Sequence, residues 1–86
     1  MSEVVVELFG LARARAGTAS VLVKADTVRE LLVGLASSYP RLGELIHGER
    51  MSPHYLLSLD GVRFVTGLDE PLTGQRLLLL AADAGG

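Results

Sequence analysis

The sequence predicts an α+β fold of two layers, in which a mixed sheet of four or five strands is covered on one face by one main helix. Three observations support this prediction. Short β-branched and apolar runs are interrupted once by an amphipathic segment at residues 28–38, and two strongly apolar runs lie near the two ends of the chain. In addition, 49% of the 86 residues are hydrophobic, which is enough for the core of a single small domain. We expect this domain to span residues 1–81.

The first element is a strand at residues 4–9, rich in valine and ending before Gly10. Both of its faces are apolar, which is typical of a central strand. Residues 11–17 are predicted as a loop or a single helical turn, and residues 20–24 as a second strand with Val21 and Val23 on its core face. In the first strand, Val5 and Phe9 share one face, and Val4, Val6 and Leu8 the other.

The helix has the clearest local signals in the chain. Thr27 followed by Glu30 fits a capping box, in which each side chain accepts a hydrogen bond from the other residue's backbone N–H. Apolar residues then recur at helical spacing as far as Ser38, and Pro40 ends the pattern. Residues 41–47 are predicted to add a short second helix, and residues 48–53 to form a loop.

The C-terminal half predicts three strands, at residues 55–59, 62–65 and 76–81. Asp60-Gly61 is a tight-turn dipeptide between the first two, and residues 67–74 form a connection with turns. The third strand contains four consecutive leucines, so both of its faces are apolar. We expect it to pair with the N-terminal strand at the centre of the sheet, which gives a β-grasp arrangement.

Composition and charge exclude several classes of function. The net charge of −2 and the dispersed charges argue against a nucleic-acid-binding protein, since no basic face is apparent. The absence of cysteine excludes thiol chemistry, and His47 and His54 alone do not predict a metal site. No signal peptide or membrane-spanning run is recognised. We therefore expect a cytoplasmic protein without membrane contact.

Residues 82–86, Ala-Asp-Ala-Gly-Gly, directly follow the leucine strand and are predicted to form a flexible, exposed tail. Glycine has no Cβ, so Gly85 and Gly86 could enter a channel too narrow for other residues. The chemistry open to such a tail is activation of its carboxylate at Gly86.

In these features the chain resembles the ubiquitin-like sulfur carriers of molybdopterin and thiamine synthesis. The resemblance covers essentially the whole chain and ends on Gly85-Gly86. The shared features are the strand at residues 4–10 with Ala12-Arg13 and Gly17, Thr27-Val28 with Glu30-Leu31-Leu32, Tyr39-Pro40, Asp60-Gly61 and Leu72-Thr73-Gly74.

The resemblance implies that an ATP-dependent, ubiquitin-activating-like enzyme adenylates Gly86 and that a persulfide donor then converts it to a thiocarboxylate. The carrier binds no cofactor and is not itself an enzyme; its partner consumes the ATP. The resemblance also implies recognition of the tail through Gly85, Ala84 and Asp83. In the molybdopterin branch, the large subunit of molybdopterin synthase receives the tail.

Alternatives remain at this stage. Many family members are acidic where this chain has Gly74-Gln75-Arg76. Residues 48–53 and the segment Val62-Arg63-Phe64 also resemble carriers of cysteine biosynthesis. A protein modifier conjugated through Gly86 would use the same adenylate, although Lys24 is the only lysine for chains on itself. A plain β-grasp binding domain with an inert tail is the third possibility.

An apolar patch on the uncovered sheet face is predicted to contact the partner enzyme. Arg13 and Arg15 either contact an acidic partner or lie in a solvated loop. Strand alternation turns Leu56 and Ser58 outward, opposite Leu57 and Leu59. The predicted partner surface comprises Leu80, Leu78, Phe9, Val5 and Leu56.

Overall fold

The structure, a computed structural model, describes residues 2–65, 67–74 and 76–82. Two α-helices and a set of strands, some only two residues long, make up this part of the chain. In chain order the elements are β1 (Glu3–Leu8), α1 (Gly10–Ala16), β2 (Ser20–Lys24), α2 (Val28–Ser38), a 3₁₀ turn (Pro40–Leu42), β3 (Ile46–His47), β4 (Arg50–Met51), β5 (Tyr55–Leu59), β6 (Arg63–Val65) and β7 (Arg76–Ala81).

The main sheet has five strands in the order β2-β1-β7-β5-β6. The N-terminal and C-terminal strands β1 and β7 pair in parallel, with Val6 opposite Leu77 and Leu8 opposite Leu79. The other neighbours in the sheet are antiparallel. This confirms the β-grasp fold and the central pairing predicted from the two apolar runs.

Helix α2 begins as the sequence predicts. The Thr27 side chain accepts a hydrogen bond from the Glu30 N–H at 3.3 Å, and the Glu30 carboxylate accepts from the Thr27 N–H at 3.2 Å. These bonds satisfy backbone donors that have no partner within the helix. The helix ends at Ser38, and the Tyr39 N–H donates to the Leu35 carbonyl at 2.8 Å.

The core lies between the helices and one face of the sheet, which we call the inner face. The predicted apolar stripe of α2 is fully buried there, as are the alternate leucines of β5 and β7 that point toward it. Burying these large side chains is the main stabilising contribution in a domain of this size. The helix contributes Val28, Leu31, Leu32 and Leu35, and the strands contribute Leu57, Leu77 and Leu79.

Two predictions between α2 and β5 are wrong. Residues 41–47 do not form a helix, because the 3₁₀ turn ends at Gly43, whose φ of 76° and ψ of −150° leave the helical region. The chain then becomes extended, and β3 pairs with β4 as a hairpin around Gly48, so residues 48–53 are not simply a loop. Leu45 is nevertheless buried, so its helical spacing with Leu42 reflects burial and not helix formation.

The segment after β1 is a complete helix, longer than the loop or single turn predicted. Its alternating alanines and arginines are strong helix formers, and Ala12 is fully buried. The helix ends where Gly17 adopts a left-handed conformation, with φ of 78°, and donates its N–H to the Arg13 carbonyl at 2.9 Å. The inner face is therefore covered by two helices.

Candidate functional site: the tail exit and the outer sheet face

The C-terminal end of β7 is the point from which the predicted tail leaves the domain, and we call it the tail exit. Ala81 pairs with Tyr55 across the antiparallel β5–β7 ladder, and the Ala82 N–H donates to the His54 carbonyl at 2.8 Å. The chain is thus held in the sheet up to the residue before Asp83. Of the predicted tail at residues 82–86, Ala82 is therefore bonded to the domain, and Asp83, Ala84, Gly85 and Gly86 lie outside the described residues.

A buried tyrosine joins three elements beside the tail exit. The Tyr55 hydroxyl donates to the Leu42 carbonyl at 2.6 Å and accepts a hydrogen bond from Arg15 Nη1 at 2.8 Å. The Arg15 guanidinium carbon also lies 5.8 Å from the centroid of the Tyr55 ring. These contacts fix the start of β5 relative to α1 and the 3₁₀ turn. Sequence reasoning missed this network because its members are up to 40 positions apart.

The face of the sheet opposite the helices is the outer face, and it contains the predicted partner surface. Leu56 and Leu80 are direct cross-strand neighbours, and both are at least partly exposed. Val5, on the neighbouring β1, is 45% exposed. The Phe9 N–H donates to the Leu79 carbonyl at 3.1 Å, which places Phe9 at the same end of β7 as Leu80. Leu78 lies partly exposed on the same face of β7.

The exposed apolar area extends beyond the predicted residues. Leu22 is 63% exposed and pairs with Val5 on the outer face, and Phe64 is also exposed on the opposite edge strand. Leu22 was detectable from the sequence, because it alternates with the core residues Val21 and Val23. All five strands of the sheet therefore contribute exposed or partly exposed apolar side chains to the outer face.

Ser58 has the predicted outward orientation, although it is buried. Strand alternation does turn it away from Leu57, as predicted, but only 5% of its surface is accessible. The reason is that Ser58 lies on a strand with neighbours on both sides, opposite Phe64 on β6 and Leu78 on β7. The larger side chains of Phe64 and Leu78 on the adjacent strands therefore cover the small Ser58 side chain.

An ion pair lies within this apolar surface. Arg76 Nε and Nη2 donate to the two carboxylate oxygens of Glu7 at 2.7 and 2.9 Å, joining β7 to β1 across the outer face. The hydrogen bond from Arg76 lowers the pKa of the Glu7 carboxyl, and the same contact raises the pKa of Arg76. Both groups therefore stay charged at neutral pH. Sequence reasoning could not pair residues 69 positions apart.

In the described part of the chain, no group of three or more potential metal-ligating His, Asp or Glu side chains is found. None of its helices is long and apolar enough to cross a membrane. A groove does open beside the tail exit, between β4 and the β5–β6 edge, with Met51, Leu56 and Phe64 among its lining residues.

No protein-family model and no curated protein sequence matches this chain. Solved structures do. Small archaeal modifier protein 1 (SAMP1) from Methanosarcina acetivorans is 25% identical over 100% of this chain and 98% of its own, with a TM-score of 0.80. A chain of the Amycolatopsis orientalis BexX/CysO complex is 26% identical over 96% of this chain and 99% of its own, with a TM-score of 0.78. A putative molybdopterin converting factor subunit 1 from Pyrococcus furiosus is 22% identical over 94% and 98%, also with a TM-score of 0.78, and supports the fold alone.

The sheet order, the capped helix across it and these matches define a β-grasp protein of the ubiquitin-like class. The resemblance to the ubiquitin-like sulfur carriers, predicted from the sequence, is confirmed.

Proposed function

We propose that this chain is a sulfur carrier whose working group is the carboxylate of Gly86. The single observation that best supports the proposal is the position of β7. This central, fully paired strand remains hydrogen-bonded through Ala82 and leads directly into the sequence Asp-Ala-Gly-Gly. A rigid domain with a short glycine-terminated extension suits a protein that delivers its carboxylate into another protein's active site.

The proposed chemistry occurs in the partners' active sites. The Gly86 carboxylate attacks the α-phosphorus of ATP in an adenylating enzyme, forming an acyl adenylate and releasing pyrophosphate. A persulfide on a donor protein attacks the acyl carbon and displaces AMP. This step joins the carrier to the donor protein through an acyl disulfide. A thiol reductant then cleaves the S–S bond and leaves a thiocarboxylate on Gly86. Asp83, Ala84 and Gly85 would be recognised with it in the enzyme's channel.

Within this proposal we favour molybdopterin synthesis, with the large subunit of molybdopterin synthase as acceptor of the tail. The fold match to a putative molybdopterin converting factor subunit is consistent with that branch. The match to a CysO complex keeps cysteine biosynthesis as an alternative, and thiamine synthesis is a third pathway for such a carrier.

A second candidate function is protein modification, favoured by the match to a protein named as a small archaeal modifier. The acyl adenylate would then react with an amine of a target protein, forming an amide and releasing AMP. Lys24, exposed at the end of the edge strand β2, is the only lysine on which the chain could extend itself.

Intact mass spectrometry tests the proposal after incubation with ATP, a persulfide source and the adenylating enzyme of the same organism. The expected result is a mass gain equal to replacing one oxygen by sulfur, located at Gly86. High-mass conjugates without that gain would favour the modifier. If an enzyme shown to be active produced neither, the inert binding domain would be the remaining explanation.

The outer face is proposed as the surface that contacts the adenylating enzyme, and Leu80→Asp tests it. We expect thiocarboxylate formation to fall about tenfold or more, since a charge in the centre of an apolar interface removes a well-packed contact. The domain should remain folded, because Leu80 points away from the core. Val62→Asp is the matched control, since Val62 is 84% exposed in the turn after β5. Unchanged formation in a folded Leu80→Asp protein would contradict the assignment.

A further inference from the structure

Positive charge is unevenly distributed over this acidic protein. Seven of the eight lysine and arginine residues are arginine. Helix α1 and the 3₁₀ turn, together with the glycine that follows each, contain three of these arginines and no acidic residue. Three of the other four arginines are paired: Arg29 lies 3.6 Å from Asp69, Arg63 lies 2.7 Å from Glu70, and Arg76 donates to Glu7 at 2.7 Å. The arginines of α1 and the 3₁₀ turn, which we call the arginine surface, are Arg13, Arg15 and Arg41.

The elements that carry the arginine surface lie beside the tail exit. Helix α1 begins immediately after Phe9, whose N–H is bonded to β7, and it contacts both β7 and the 3₁₀ turn. Arg15 reaches Tyr55, the cross-strand partner of Ala81. The Tyr55 hydroxyl in turn bonds to Leu42, the residue after Arg41. A protein that binds the tail therefore approaches within reach of these arginines.

Part of this surface is held in place before any partner binds. The hydrogen bond and ring contact with Tyr55 restrict Arg15, so less side-chain entropy is lost on binding. Arg13 and Arg15 lie in the last turn of α1, where positive charge stabilises the helix dipole, so the dipole explains their presence. It does not explain Arg41, which lies outside that helix. The planar guanidinium fork is suited to carboxylate groups.

We infer that the arginine surface docks an acidic segment of the adenylating enzyme, next to the channel that receives the tail. The inference rests on the proposed function and adds a second contact to the apolar one on the outer face. The two contacts lie on opposite sides of the sheet and meet at the tail exit. The apolar contact supplies buried area, and the arginines add charge complementarity, which speeds association and sets orientation.

The test compares two double variants with equal changes of net charge. R13Q/R41Q removes two exposed cations of the arginine surface. R29Q/R63Q removes two exposed cations outside it: Arg29 lies in the first turn of α2, at the opposite end of that helix from the 3₁₀ turn, and Arg63 lies on the edge strand β6. Initial rates of thiocarboxylate formation are measured with the adenylating enzyme, ATP, a persulfide source and a thiol reductant as the carrier concentration is varied. We expect R13Q/R41Q to raise KM for the carrier about five- to tenfold, the scale of two exposed ion pairs across an interface, with kcat unchanged.

Added salt provides the second measurement. The wild-type KM should rise with salt while that of R13Q/R41Q changes less, because screening weakens only charges that are present. R29Q/R63Q should follow the wild type. Thermal unfolding of each protein confirms that all are folded.

The outcomes separate the two levels of the argument. If the wild type reacts and the two double variants have equal KM values, the proposed docking through the arginine surface is wrong. The proposed carrier function is not contradicted by that result. No mass gain in the wild type would overturn both. If R13Q/R41Q instead lost affinity for a single-stranded oligonucleotide at unchanged KM, the acidic protein segment would be the wrong occupant.

Discussion

Adding one alanine after Gly86 is expected to lower the rate of thiocarboxylate formation at least about 100-fold while leaving the domain as stable as before. The extension moves the reacting carboxylate about 3.5 Å farther along the chain and adds a Cβ where glycine has none. Misplacement of a reacting group by about 1 Å already costs about 100-fold in rate. The measurement is the rate of mass gain with adenylating enzyme, ATP and persulfide source.

The matched control is one alanine added before Met1, at the other end of the chain. It gives the same increase in length without changing the C-terminal carboxylate, and we expect the wild-type rate. Gly86→Ala, which keeps the length, isolates the contribution of the missing Cβ. A C-terminally extended protein that reacts as fast as the wild type would show that the carboxylate at Gly86 is not the working group.

Replacing Leu79 by alanine is expected to lower the free energy of unfolding by about 3 kcal/mol. Leu79 has no accessible surface and lies on β7 between Leu8 on β1 and Leu57 on β5. Leucine-to-alanine changes at such sites cost about 2–5 kcal/mol because lost burial is compounded by the cavity left behind. Against a total of about 5–15 kcal/mol, this is a large fraction of the stability of a small domain. Urea denaturation measures it.

Leu80→Ala is the matched comparison, since Leu80 is the next residue along the same strand but points to the outer face. We expect a loss of about 1 kcal/mol or less, because its side chain is already partly exposed. Equal losses for the two variants would mean that β7 does not present one leucine to the core and the next to solvent.

Elements specified by short-range interactions were predictable. The capping box of Thr27 and Glu30, the apolar stripe of α2 and the stop at Pro40 depend on residues within one or two turns of each other. The strand at Arg76–Ala81 followed from its apolar run and its flanking residues. Even the central pairing of β1 with β7 was predictable, because both faces of each strand are apolar.

Segments between these elements were less predictable, because their conformation depends on what they pack against. Residues 41–47 have apolar spacing that suits a helix, yet Gly43 ends the 3₁₀ turn and β3 pairs with β4. Ser58 has the expected orientation but is covered by the side chains of adjacent strands. Neither outcome can be determined from residues adjacent in sequence.

The sequence by itself determined the fold class, the main helix and the central strands, because these depend on local periodicity, capping and residue type. The proposal that Gly86 is the working group also rests on the sequence, since Gly86 lies outside the described residues. The tertiary structure alone decided which side chains share a surface. It brought Arg15 to Tyr55 beside the tail exit and Glu7 to Arg76 across the outer face. The physical reason is that hydrogen bonds and ion pairs depend on distance in space. Packing of α1 brings together residues 40 positions apart, and pairing of β1 with β7 brings together residues 69 positions apart.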